Sequence, residues 1–98
     1  MKYSYTFGRG ASMQAVSDTL TLALLALEAL NGASRLRLGA RFELDQDART
    51  CTIAADTAVG EDLNLVFVGL VRREFGDGAF TVARTASPEA ANLEPVAA

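Results

Sequence analysis

The stretch from Met13 to about Asn31 most limits what this chain can fold into, because its composition and periodicity predict one long helix. It has no proline and no interior glycine and is dominated by good helix formers. Ser12 is placed to cap the N-terminus, and Gly32 marks the C-terminus. Apolar residues recur at helical spacing and predict a buried face. These residues are Val16, Leu20, Ala23, Leu24 and Leu27.

Four other segments alternate apolar and polar residues, as half-buried strands do. They are residues 2–8, 35–44, 49–56 and 79–84. In the first, Tyr3, Tyr5 and Phe7 share one face. In the second, one face is predicted to carry Leu36, Leu38, Ala40, Phe42 and Leu44, and the other to carry Arg35, Arg37 and Arg41. The short polar loop before residue 49 predicts an antiparallel hairpin.

Residues 57–75 fit a helix better than a strand, although both remain open. Glu61 and Asp62 fall in the first turn of such a helix and Arg72 and Arg73 in the last, as the helix dipole prefers. Against this, the segment is rich in β-branched residues and contains two glycines.

The predicted order is therefore strand, helix, strand, strand, helix, strand. This order resembles the ferredoxin-like fold, an α+β βαββαβ sandwich with a four-stranded antiparallel sheet and two helices on one face. At 98 residues the chain has room for one such domain, predicted over residues 1–85. Residues 86–98 lack periodicity and are predicted to form a flexible C-terminal tail.

Composition narrows the classes of function. The net charge of −3 does not favour a nucleic-acid partner, and the aromatic residues of the strands belong to the core phase rather than to a base-stacking face. There is no histidine, and Cys51 is the sole cysteine and is expected in the core, so we predict no catalytic set, no metal site and no cofactor. We expect a cytoplasmic protein, because no signal peptide or membrane-spanning segment is evident.

The loop from Gly8 to Ser12 joins a strand to a helix N-terminus, where anions bind favourably. Arg9, Gly10 and Ser12 are its candidate anion-binding residues, for phosphate or an acyl phosphate. Acylphosphatases have a similar fold, a similar length and an arginine in the corresponding loop, but their signature and their catalytic asparagine have no match in this sequence. An ordinary strand-to-helix turn is the simpler interpretation. The arginines at 35, 37 and 41 could likewise bind an acidic partner or merely protect an edge strand.

The outward faces of both helices carry more apolar residues than a surface helix needs. Leu22 and Leu25 lie opposite the core face of the first helix, and Leu65 and Val68 lie opposite that of the second. We therefore predict a small non-catalytic interaction or regulatory module that binds a second copy or a protein partner through its helical layer. The alternative is an anion-binding protein or hydrolase that uses the Gly8–Ser12 loop.

Overall fold

The fold is an α+β arrangement of one antiparallel sheet and three helices, seen in a computed structural model that describes residues 1–85. The predicted tail, residues 86–98, lies outside the described residues. In chain order the elements are β1 (Lys2–Phe7), α1 (Met13–Asn31), α2 (Ala33–Gly39), β2 (Arg41–Asp45), β3 (Thr50–Ala54), α3 (Ala58–Phe75), a 3-10 turn (Asp77–Ala79) and β4 (Phe80–Thr85).

The four strands pair antiparallel in the order β2-β3-β1-β4. Tyr5 of β1 lies opposite Cys51 on one side and opposite Val82 on the other. The predicted hairpin is confirmed, since β2 and β3 are joined by a tight turn. In that turn Asp45 accepts a hydrogen bond from the Ala48 amide at 3.0 Å, and Arg49 takes a positive φ of 59°.

The core lies between one face of this sheet and the inner stripes of α1 and α3. Alternation along β1 turns Tyr5 and Phe7 towards the helices, and both rings are buried as predicted. The Tyr5 ring meets Phe67 of α3 edge-on, with the ring centroids 5.1 Å apart. The inner stripe of α1 consists of Val16, Leu20, Ala23 and Leu27, and all four are buried. Leu24, predicted on the same face, is only partly buried. Helix α1 therefore packs by the face that its periodicity predicts.

Capping residues set the ends of the two long helices. Ser12 caps α1 by accepting a hydrogen bond from the Ala15 amide at 3.2 Å, as predicted. The chain leaves α1 at Gly32, whose φ of 88° suits glycine best. Thr57 caps α3 in the same way, through the Gly60 amide at 2.9 Å. The open question about residues 57–75 is thus answered, because Ala58–Phe75 is helical.

The prediction of a strand over the whole of residues 35–44 was wrong in its first half. Residues Ala33–Gly39 form the short helix α2, so the fold has three helices rather than two. Arg35 and Arg37 lie on this helix and do not share a sheet face with Arg41. Phe42, assigned to the core by alternation, is 45% exposed because β2 is an edge strand.

Helix α1 is long and apolar enough to span a membrane by length and composition, with a mean hydropathy of 1.3 over its most apolar stretch. The same helix is capped at its N-terminus and contributes its inner stripe to the core of this domain. One third of that apolar stretch is buried inside the domain.

Candidate functional site

The outer face of α1 is an apolar surface on the outside of the domain. Leu22 is 58% exposed and Leu25 is 55% exposed. Ala26 and Ala29 beside them are also exposed, and α1 carries no Lys or Arg at all. Solvent-facing positions of a surface helix are normally polar or charged. This surface, centred on Leu22 and Leu25, is called the α1 outer face below.

Local sequence explains how this surface arises. The inner stripe of α1 already fills the space above the sheet, since Val16 and Ala23 are completely buried and Leu27 nearly so. Residues between the stripe positions must point away from the sheet because a helix turns about 100° per residue. In α1 several of those positions are again Leu and Ala, and they are exposed together with the polar residues Gln14, Asp18, Thr21 and Glu28.

Helix α3 contributes less to this layer than the sequence predicts. Leu65 is 66% exposed, but Val68 is only partly exposed and packs against the core. The remaining exposed positions of α3 are mostly charged: Glu61, Asp62, Arg72, Arg73 and Glu74. Of the four predicted interface residues, Leu22, Leu25 and Leu65 therefore present substantial apolar surface and Val68 does not.

A groove between α1, α2 and β2 is a second apolar feature, and sequence analysis did not find it. It has a volume of about 380 Å³, and its lining is mainly apolar, with Glu28 and Arg37 as the charged members. The apolar lining comprises Leu24, Ala33, Leu36, Ala40 and Phe42. The groove depends on α2, which alternation assigned to a strand, so no pattern in the sequence indicated it.

The backbone of the Gly8–Ser12 loop is fixed by hydrogen bonds from Arg49, a residue that the sequence patterns did not indicate. The Arg49 guanidinium donates hydrogen bonds to the backbone carbonyls of Phe7, Gly8 and Ala11, and its Nε lies 3.2 Å from the Phe7 oxygen. The Phe7 amide in turn donates to the Arg49 carbonyl at 2.9 Å. The loop therefore owes its shape to a structural arginine 38 to 42 residues further along the chain.

The three predicted anion-binding residues are close in sequence but do not form an organised site. Ser12 already uses its hydroxyl as the cap of α1. Arg9 is exposed and makes no hydrogen bond or ion pair with the rest of residues 1–85. Gly10 is exposed, and a side chain there would meet nothing within 4 Å. Within residues 1–85, the loop thus leaves the Arg9 guanidinium free beside a helix N-terminus.

Two buried groups with acidic protons lie next to each other at the centre of the sheet. Burial raises the pKa of the Cys51 thiol to about 12, and Cys51 has no exposed surface. Burial also raises the pKa of Tyr5, whose hydroxyl donates a hydrogen bond to the side-chain oxygen of Asn64. Both groups are neutral and inaccessible at physiological pH, so neither has the properties of a nucleophile.

The described part of the chain contains no group of three or more Cys, Asp or Glu side chains placed to hold a metal ion. Comparison with known protein families, with curated proteins and with solved structures finds no match. The surfaces described above are therefore the only basis on which a function can be proposed.

Proposed function

We propose that this protein is a non-catalytic interaction module that associates with a second copy of itself through the α1 outer face. The observation that carries the proposal is the exposure of Leu22 and Leu25, each more than half exposed at the centre of a 19-residue helix. Leu65 of helix α3 is a further exposed leucine of the helical layer. A small regulator or adaptor is the kind of protein that this arrangement suits.

The expected energetics are compatible with a reversible dimer. Complete burial of a leucine side chain is worth roughly 1.5–3 kcal/mol. In a two-fold interface both copies contribute Leu22, Leu25 and Leu65, which are already 34 to 45% covered within each copy (100% minus their exposed fractions of 66, 58 and 55%). Association costs several kcal/mol, so the surplus is modest and favours a reversible complex.

A second copy suits this surface better than a lipid membrane does. Interfacial membrane helices combine an apolar face with Lys and Arg, which attract anionic lipid headgroups. Helix α1 has neither residue, and its charges are the acidic Asp18 and Glu28, both exposed. Its electrostatics therefore oppose binding to an anionic bilayer, whereas a second apolar face has no such requirement.

The test compares two leucine substitutions by size-exclusion chromatography with light scattering. Leu25→Asp places a charge at the centre of the α1 outer face and is expected to lower the average mass. Leu38→Asp makes the same chemical change on α2, where Leu38 is 78% exposed, and serves as the matched control. An unchanged mass for Leu25→Asp, or an equal fall for Leu38→Asp, would contradict the proposal.

A vesicle-binding experiment distinguishes a second copy from a membrane as the partner of the α1 outer face. The unmodified chain is mixed with vesicles of phosphatidylcholine and phosphatidylglycerol and sedimented. We expect it to stay in the supernatant, and Leu25-dependent binding to the vesicles would show that a membrane, rather than a second copy, covers α1.

Anion binding at the Gly8–Ser12 loop is the alternative proposal, supported by Arg9, which is exposed and has no partner among residues 1–85. It predicts that inorganic phosphate raises the melting temperature of the unmodified chain and that Arg9→Ala abolishes the increase. The dimer proposal predicts no effect of phosphate, so one thermal-shift experiment distinguishes the two.

For the fold, we propose the ferredoxin-like arrangement with α2 as an addition between α1 and β2. The strand order β2-β3-β1-β4, and the packing of α1 and α3 on one sheet face, support it. We further propose a cytoplasmic location, supported by a single cysteine that is buried as a free thiol rather than used in a disulfide.

A further inference from the structure

The two edge strands of the sheet differ in how well they are protected from pairing with another strand. An edge strand exposes unpaired backbone amides and carbonyls, and charged side chains discourage a foreign strand from adding to it. Edge strand β2 carries three exposed charged residues, Arg41, Glu43 and Asp45. Edge strand β4 carries only Arg84, and within residues 1–85 no further strand lies beyond it. By this comparison β4 is the edge open to pairing.

The side chains of β4 also leave apolar surface uncovered on the helix side of the sheet. Val82 lies opposite Tyr5, so it points to the same face as the core, yet it is 45% exposed. Phe80 lies opposite Phe7 on that face and is only half-buried. The helices therefore do not complete the core above β4, and a neighbouring strand would cover both side chains.

We propose that β4 pairs antiparallel with β4 of a second copy, about a two-fold axis at Val82. In this register Val82 faces Val82 of the second copy, Thr81 faces its Ala83, and Phe80 faces its Arg84. Cross-strand pairs of apolar and β-branched residues are favourable, and an arginine beside an aromatic ring is attracted to it. The strand is thus complementary to itself.

Registers with the axis at Arg84 or Ala83 are less favourable. An axis at Arg84 would set two arginines directly opposite each other, which destabilises a pair of strands. Moving the axis by one residue to Ala83 would leave Val82 facing an arginine instead of a valine. An axis at Val82 also keeps nearly the full length of Phe80–Thr85 paired.

This interface is separate from the α1 outer face and does not depend on it. Pairing at β4 extends the sheet in its own plane, whereas the α1 outer face points away from the sheet. Because both contacts are isologous and face different directions, a chain that uses both assembles beyond a dimer.

Cysteine cross-linking tests both the contact and its register. Directly opposed residues of antiparallel strands have Cα atoms about 4.5–5.5 Å apart, within the range that a disulfide spans. Val82→Cys is therefore expected to form a disulfide-linked dimer under mild oxidation, reversed by reductant. Thr81→Cys is the matched control, because its exposed side chain lies opposite Ala83 of the second copy. The native Cys51 is buried and should not react.

Both cysteine variants are made in the Leu25→Asp background, so that the α1 contact does not bring the chains together. A dimer with Val82→Cys and not with Thr81→Cys supports the proposal. Equal cross-linking of the two variants, or none with either, overturns it. Val82→Lys provides a second measurement, since it should lower the average mass in the Leu25→Asp background, and an unchanged mass also overturns the proposal. Failure of the α1 proposal would instead appear as no effect of Leu25→Asp alone.

Discussion

Helices α1 and α3 lie side by side on the same sheet and have nearly equal lengths of 19 and 18 residues. They differ in the residues of their outer faces and of their first and last turns. Both have complete inner stripes, such as Val16 and Leu27 in α1 and Leu63 and Phe67 in α3. Helix α3 has an acidic residue in its first turn and two arginines in its last, which suit the helix dipole. Helix α1 has neither.

The two helices differ in how many of their residues the fold requires. A domain of this kind needs an inner stripe, caps and a polar outer face, and α3 supplies all three with Leu65 as the exception. Helix α1 supplies the stripe and the caps, but its outer face places the exposed Leu22 and Leu25 among polar residues such as Asp18. Substitutions at the core contacts of α3 should therefore lower the free energy of unfolding. Substitutions on the α1 outer face should change the free energy of unfolding of a single chain only a little.

The largest expected effect comes from Gly60, where α3 approaches β3 most closely. A Cβ at this position would lie 2.3 Å from the Ala54 carbonyl oxygen, so Gly60→Ala must displace backbone. We expect the free energy of unfolding to fall by about 3 kcal/mol.

Gly69→Ala is the matched control on the same helix, because a Cβ there meets nothing within 4 Å. It should raise stability by up to about 1 kcal/mol through helix propensity. Urea denaturation followed by circular dichroism measures both, and a harmless Gly60→Ala would show that the close approach is wrong.

The next effect concerns the buried polar contact between β1 and α3. Tyr5→Phe removes the hydroxyl that donates to Asn64 and leaves a buried amide oxygen without its partner. Such a loss costs about 2 kcal/mol. Tyr3→Phe is the control two residues earlier on the same strand, where the half-buried hydroxyl makes no hydrogen bond within residues 1–85. The same denaturation assay should show little change for Tyr3→Phe, and equal effects of the two substitutions would argue against the contact.

A smaller effect follows from the buried thiol beneath the helices. The pKa of Cys51 rises from 9.0 to about 12 on folding, so the folded state holds its proton more tightly than the unfolded state does. The resulting stability is fully present below about pH 9 and is lost as the pH rises towards 12. At about pH 10 the loss from this group is on the order of 1 kcal/mol. The difference in unfolding free energy between about pH 7 and about pH 10 measures it, and Cys51→Ala should reduce that difference. An identical pH dependence in Cys51→Ala would contradict the assignment.

The smallest expected effect lies on the α1 outer face. Leu22→Gln should change the unfolding free energy of a single chain by no more than about 0.5 kcal/mol, because Leu22 is more than half exposed. Leu20→Gln, two residues earlier in the buried stripe, should cost several times more. Measurement at concentrations low enough to keep the chains apart separates this effect from association. A large loss for Leu22→Gln would mean that the residue serves the fold of one chain.

Sequence patterns predicted the long elements of this fold well, because their periodicities agree with their tertiary contacts. The alternation of Tyr3, Tyr5 and Phe7 and the inner stripe of α1 both survive in the structure. Helix α3 was left open since Gly60 and the β-branched residues weakened its helical signal. Gly60 is present because α3 approaches the Ala54 carbonyl, a reason that only the tertiary structure shows.

The errors have equally specific causes. The sequence Arg-Leu-Arg-Leu at 35–38 alternates as a strand does, but in α2 only Leu36 packs towards the core while Leu38 is 78% exposed. A helix of seven residues is too short for its periodicity to be distinguished from alternation. The role of Arg49 was not predicted, because its hydrogen bonds reach residues 38 to 42 positions away and no local sequence pattern indicates them. Of the predicted interface residues, Val68 is the one that is partly buried against the core, and this burial depends on how α3 is rotated on the sheet.

Self-association is tested by the average mass of the unmodified chain, measured by sedimentation equilibrium from low micromolar to millimolar concentration. One chain has a mass of 10.3 kDa. Association through apolar surface predicts that the mass rises with concentration to that of two chains or more and does not fall when salt is added. A mass that stays at 10.3 kDa over the whole range would contradict self-association through the α1 outer face.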